Sequence, residues 1–257
     1  MTNGHGEFIW YELMTSDVAA AADFYAAVLG WKRRVFDQSA GYEIFSADGE
    51  DVAGLMAIPD EAAGKGARPG WFGYVGVDDV DATVSDIIEA GGKQHMPPTD
   101  IPGVGRLAML ADPQGAMFYV MRGAVDGTST SFAPTKTGHC HWNELSTTDP
   151  AAAFDFYHAR FGWHKGDAMP MGEMGDYQFL THNGELFGAV LDVQSADQPP
   201  MWTYYFGVAD IDVATNAATG KGATVQYGPA EVPGGVYIIV ANDPQGAMFG
   251  LVGPRKS

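Results

Sequence analysis

From Phe8 to Met14 bulky residues alternate along the chain, the period of a strand with one buried face. Ser16 and Asp17 can cap the next segment. Val18 to Leu29 is alanine-rich, with Phe24, Tyr25 and Val28 spaced to share one side, which predicts a helix stopped by Gly30. Three strands are predicted next, at Trp31–Phe36, Tyr42–Ala47 and Val52–Ile58, and then a Gly/Ala/Pro-rich linker over Asp60–Gly70. The order then restarts: a strand at Trp71–Val77 and a helix at Asp79–Ala90, capped by Asp78 or Asp79 and stopped at Gly91 and Gly92. Strands at Lys93–Met96, Arg106–Ala111 and Ala116–Met121 come after it, the last two joined by the turn Asp112-Pro113-Gln114-Gly115. Each half of this stretch reads βαβββ.

The whole stretch then occurs a second time. Trp10, Glu12 and Leu13 match Trp142, Glu144 and Leu145; Asp23-Phe24-Tyr25 matches Asp155-Phe156-Tyr157; Gly30-Trp31 matches Gly162-Trp163. All of these lie 132 residues apart. Later the spacing is 131, where Trp71 matches Trp202 and seven identical residues run from Asp112 to Phe118 and from Asp243 to Phe249. A match of that length in register indicates tandem duplication. The second copy also sharpens its helix signal, with Asp149 as N-cap before Pro150 at the first helical position. The predicted fold class is therefore α+β: a tandem duplication in which each module holds two βαβββ units. The modules are expected at residues 7–122 and 139–252, joined by a polar linker at 123–138.

Composition narrows the partners. The chain has 32 acidic and 14 basic residues, a net charge of −18. Such a surface repels phosphate backbones and anionic lipid, so neither nucleic acid nor membrane is expected as a partner. One cysteine, Cys140, excludes an intrachain disulfide and any thiolate zinc cluster. The opening Met1–Gly6 lacks the basic and apolar regions of a signal peptide, and no long apolar run occurs. A cytoplasmic protein is the expectation.

Four βαβββ units, an aspartate-led helix ending in Phe-Tyr, the Gly-Trp after it and a closing Asp-Pro-Gln-Gly hairpin together resemble the vicinal oxygen chelate superfamily. That group holds glyoxalases, bleomycin-resistance proteins and extradiol dioxygenases. The resemblance implies that each pair of units forms a cupped mixed sheet, with helices on the convex face and a ligand in the cup. It also implies His or Glu on the first and last strands of the units, holding a divalent metal. Here the first-strand positions fall on Trp10 and Trp142. The second-unit positions fall near Phe72 and Thr203, and the final-strand positions on Tyr119 and Gly250. Indole, phenyl and a missing side chain cannot ligate a metal, and the seven histidines avoid these positions. No metal or other cofactor is expected, with a divalent metal as the alternative.

Glu12 and Glu144 lie two residues beyond the tryptophans, on the same strand face. Each is read either as a structural hydrogen-bond partner of a strand end or a tyrosine, or as functional: a general acid/base with a raised pKa, or a hydrogen-bond acceptor for ligand. Trp10, Tyr42, Met56, Phe72, Tyr119, Trp142, Tyr177 and Thr203 are the candidate ligand-binding residues; flat aromatic area with a polar handle suits a planar ligand. The plainer reading of each is packing, and Trp71 and Trp202 are read as core or rim. No Ser-His-Asp or Cys-His arrangement is discernible. Two functions stay open: metal-free binding of a small planar, partly apolar molecule, or a glyoxalase-like lyase, isomerase or oxygenase using Glu12 or Glu144. Because duplication already pairs the modules, a monomer or weak dimer is expected.

Overall fold

The computed structural model describes residues 3–37, 41–172 and 175–256; Met1 and Thr2 of the opening segment lie outside them. The elements run β1 (Phe8–Thr15), α1 (Val18–Leu29), β2 (Lys32–Asp37), β3 (Tyr42–Ala47), β4 (Glu50–Ala57), α2 (Asp60–Gly64), β5 (Gly70–Gly76), α3 (Val80–Glu89), β6 (Lys93–Ile101), β7 (Gly105–Ala111) and β8 (Met117–Gly123). The second copy supplies β9 (Cys140–Thr147), α4 (Pro150–Phe161), β10 (His164–Pro170), β11 (Asp176–His182), β12 (Glu185–Asp192), β13 (Met201–Gly207), α5 (Ile211–Gly220), β14 (Thr224–Val232), β15 (Val236–Asn242) and β16 (Met248–Gly253). Two eight-stranded mixed sheets result, ordered β2-β3-β4-β1-β5-β8-β7-β6 and β10-β11-β12-β9-β13-β16-β15-β14. This is the duplicated α+β architecture that the repeat implies.

Local chemistry sets the helix ends. The Asp17 carboxylate accepts from the Ala20 N–H at 3.0 Å, and Gly30 closes α1 with φ 71°, a left-handed conformation that suits glycine. In α4 the same roles fall to Asp149 and Gly162, with Pro150 in the first turn. Two elements depart from the sequence expectation. The stretch Asp60–Gly70 contains the short helix α2. Strand β6 continues past Met96 through Pro97 and Pro98 to Ile101. It tolerates them because it is the last strand of its sheet and its pairing with β7 shifts register at Gln94/Met96 and Met96/Thr99.

Packing divides the chain into two compact units, each drawing on both sequence modules. The first comprises Met1–Ile9, Gly73–Ser129 and Asn143–Thr203; the second comprises Trp10–Phe72, Thr130–Trp142 and Tyr204–Ser257. In the first, α3 packs on α4. Its aromatic core centres on Tyr157, which lies parallel to Trp163 at 5.0 Å and edge-on to Trp202 at 5.5 Å. In the second, α1 packs on α5. Tyr25 there lies against Trp31 at 5.9 Å and edge-on to Trp71 at 5.2 Å and Phe249 at 5.6 Å. Each such fully buried ring contributes on the order of 2–3 kcal/mol through area removed from water. The segment 123–138 is packed as well as connecting. Ser131 is fully buried, Phe132 bridges to Cys140, and Gly138 O accepts from Trp31 Nε1 at 2.7 Å, all within the second unit.

Candidate functional site

Strand β1 separates two roles by alternation. Tyr11 and Leu13 are fully buried, Tyr11 edge-on to Tyr204 and Phe206 of β13, which leaves Trp10, Glu12 and Met14 on the opposite face. Trp10 and Met14 are half-buried, whereas Glu12 is 3% exposed. Parallel pairing sets Glu12 beside Gly54 and Met14 beside Met56, and antiparallel pairing sets Ile44 beside Gly54. Tyr42, two residues before Ile44, therefore shares that face. The second unit thus gathers Trp10, Glu12, Tyr42 and Met56 on one surface of the first βαβββ unit. Phe72, the next strand's candidate, is 9% exposed.

Trp10 Nε1 donates to Tyr42 Oη at 3.0 Å. The two residues stand on β1 and β3, with β4 between them. Tyr42 reaches across β4 because residue 54 is glycine: a Cβ there would overlap the phenol oxygen and come within 3.1 Å of Trp10 Nε1. A missing methyl group on the middle strand is what lets two aromatic side chains meet.

In the first unit the repeat of this arrangement has diverged. Ala189, not glycine, stands beside Glu144, and Tyr177 Oη donates to Glu144 Oε2 at 2.6 Å. The tyrosine and carboxylate that the sequence singles out in this copy are therefore in contact. Thr203 is 4% exposed. In the second unit Trp142 is half-buried, and its carbonyl accepts from the Cys140 thiol at 3.3 Å.

The final-strand positions are filled from neighbours that sequence reasoning missed. Tyr119 lies flat on Tyr74, ring centroids 4.2 Å apart and 9° between planes, in the first unit. Gly250 pairs with Tyr205 in the second, and the Tyr205 ring occupies the space a side chain at 250 would need. Tyr74 and Tyr205 stand 131 residues apart, so the repeat itself carried the signal for them.

The donor set at these positions does not fit a divalent ion. Among the described residues no group of three or more His, Cys, Asp or Glu side chains is placed to hold one. Four histidines turn a ring nitrogen to backbone carbonyls: His5 to Arg160 at 2.7 Å, His139 to Thr130 at 2.6 Å, His141 to Lys136 at 2.8 Å and His158 to Trp163 at 2.6 Å. Burial lowers the His141 pKa, partly countered by the Lys136 carbonyl.

A second set of residues escaped the sequence reading. Asp112 and Asp243 open the two Asp-Pro-Gln-Gly turns, yet are 1% and 4% exposed. Asp112 Oδ1 accepts from the N–H groups of Gln114, Gly115 and Ala116 at 2.7–3.0 Å. Its other oxygen accepts from Tyr157 Oη at 3.0 Å. Asp243 does the same with Gln245, Ala247 and Tyr25. Burial raises both carboxyl pKa values, and the hydrogen bonds counter it in part. Trp71 and Trp202 are core residues of this arrangement, donating to Tyr25 Oη at 2.8 Å and to Tyr157 Oη at 3.2 Å.

Comparison with known proteins agrees with the duplicated fold. The family model for the Glyoxalase/Bleomycin resistance protein/Dioxygenase superfamily matches residues 7–120 and again 137–251. The chain is 32% identical to "Putative glyoxylase CFP32" of Mycobacterium tuberculosis over 249 residues, covering 95% of this chain and 94% of that one. It is 34% identical to "Anthracycline biosynthesis protein DnrV" of Streptomyces peucetius over 267 residues, covering 96% and 93%. Among solved structures, the Mn(II)-bound glyoxalase from Novosphingobium aromaticivorans superposes with a TM-score of 0.65 at 20% identity, covering 98% of this chain and 83% of that one. By two matched modules and by full-length relatives, the chain belongs to the Glyoxalase/Bleomycin resistance protein/Dioxygenase superfamily.

Proposed function

We propose that this protein binds a small planar, partly apolar molecule without the divalent metal of its superfamily. The observation that carries the reading is the Trp10–Tyr42 pair over Gly54. It sets two half-buried aromatic side chains on a strand face where relatives are expected to place metal ligands. Stacking and edge contacts with rings suit a flat ligand, and the buried Glu12 carboxylate on the same face supplies an acceptor for a ligand hydroxyl. The name of the Streptomyces peucetius relative ties it to anthracycline biosynthesis, and anthracyclines are fused-ring planar compounds. Titration of the intrinsic fluorescence with hydroxylated aromatic compounds tests this. Saturable quenching that is weakened in Trp10→Phe, in protein with substoichiometric metal by elemental analysis, is expected. Stoichiometric metal, or no response to any compound, would overturn it.

A second reading rests on the 2.6 Å contact between Tyr177 and Glu144. A phenol hydrogen-bonded to a carboxylate is an acid–base pair, and such a pair can take a proton next to a carbonyl in a lyase or isomerase, or serve an oxygenase. Glu12 is the corresponding base in the other copy. If a turnover is found, Glu144→Gln and Glu12→Gln identify which carboxylate drives it. Loss of rate in neither variant removes this reading.

A further inference from the structure

Phe36 is a large apolar side chain left 49% exposed on β2. It is exposed like the rest of β2, the outermost strand of its sheet. Val35 pairs with Glu43 and Asp37 with Tyr42, so Phe36 is the extra residue between two successive pairs. Alternation along β2 puts Arg34 and Phe36 on the face of Ile44 and Tyr42, and the Phe36 ring lies edge-on to Tyr42, centroids 6.1 Å apart and 74° between planes. The Arg34 guanidinium stands 5.7 Å from the Phe36 ring centroid, and its charge is matched by Asp51. An aromatic row therefore runs from Trp10 on β1, across Gly54 on β4, to Tyr42 on β3 and Phe36 on β2, all within the second unit. At about 4.8 Å per strand it spans roughly 14 Å.

The other copy lacks this row. In the first unit the bulge of β10 falls between Lys165 and Ala168, and Met169 is the residue that pairs with Tyr177. Its tyrosine is engaged by Glu144, and β10 carries no Phe, Tyr or Trp to stand beyond it.

Resting on the binding function proposed above, we infer that the ligand is a fused polycyclic aromatic held on the first βαβββ unit, and that Phe36 is the residue that selects for ring number. A single ring on Trp10 leaves the far end of a row of this length uncovered, whereas a ligand of three fused rings extends over β4 and β3 toward Phe36. The edge-to-face geometry already present between Phe36 and Tyr42 is the geometry such a ligand would continue.

The test uses three neutral probes of rising ring number, phenol, 1-naphthol and 1-hydroxyanthraquinone, with affinity measured by fluorescence for the full-length protein, Phe36→Ala and Trp10→Phe. Affinity should rise with ring number in the parent. Phe36→Ala should weaken 1-hydroxyanthraquinone by about 3- to 10-fold and phenol by less than 2-fold, the scale of one aromatic contact. Because Phe36 is half-exposed on an edge strand, an unchanged melting temperature is expected to accompany the loss. Phe36→Leu, which keeps bulk without a ring, should recover part of the affinity. If Phe36→Ala binds all three probes like the parent while Trp10→Phe is impaired, the role of Phe36 is wrong and the general binding function stands. If the parent binds none of the probes, the binding function fails and this inference with it.

Discussion

Tyr25 Oη donates to Asp243 Oδ2 at 3.1 Å although 218 residues separate them in sequence. Tyr157 meets Asp112 in the same way at 3.0 Å. A tyrosine on the first helix of one sequence module thus closes on the last hairpin of the other, twice, and each phenol also accepts from a tryptophan indole. The last turn of each module is thereby a binding partner for a helix encoded far away, which makes the compact units interleaved in sequence.

Removing one phenol oxygen should be costly. Tyr25→Phe leaves the Trp71 indole N–H buried without its acceptor and takes one donor from Asp243, an expected loss of about 1–3 kcal/mol. Tyr157→Phe should cost the same for Trp202 and Asp112. The two sets of partners have no residue in common, so the double variant should lose the sum. Calorimetric melting measures all three, and an unchanged midpoint in both single variants would remove the energetic role given to these contacts.

Acid pH provides an independent check on Asp112 and Asp243. Their pKa values are raised in the folded protein by burial, so between the ordinary aspartate pKa and the raised value the folded state binds more protons than the unfolded. Stability from these two groups then increases as pH falls through that window. Asp81 and Asp210, held low by Arg106 and by the N–H of Val213 respectively, act in the opposite direction. The urea midpoint of the parent minus that of Asp243→Asn should increase from pH 7 to pH 4. A difference that decreases would contradict the burial argument.

Gly54→Ala places a methyl group where the Tyr42 oxygen now lies. Tyr42 must leave, the Trp10 hydrogen bond breaks, and overpacking of this kind costs about 1–3 kcal/mol. Trp10 emission should shift with it. The reverse change, Ala189→Gly, should cost no more than about 1 kcal/mol. Equal effects of the two changes would show that Gly54 has no special role in seating Tyr42.

Cys140 is 1% exposed, and burial pushes its thiol pKa up to about 12. At pH 8 it should hold its proton and ignore a thiol reagent such as Ellman's in the native protein, then react fully in guanidinium. Rapid native labelling would mean that β9 opens far more readily than its packing indicates.

Much of the architecture was legible in the residues alone. The bounds of α1, Val18–Leu29, follow from an aspartate cap, an alanine-rich amphipathic run and a terminal glycine, because helix ends are set by groups within one turn of each other. Duplication was legible because identical spacing needs no structure to be seen, and alternation along β1 already separated Tyr11 and Leu13 from Trp10 and Glu12. Other features had no local signature. Asp112 looks like an ordinary turn residue until Tyr157 is found against it, since a buried carboxylate's partner can come from anywhere in the chain. Tyr42 meets Trp10 only because β4 lies between β3 and β1 in the sheet, an order that hydrogen bonding between distant segments decides. Phe36 meets Tyr42 only because β2 and β3 pair in a register that sets Val35 beside Glu43, and register is a property of two strands together.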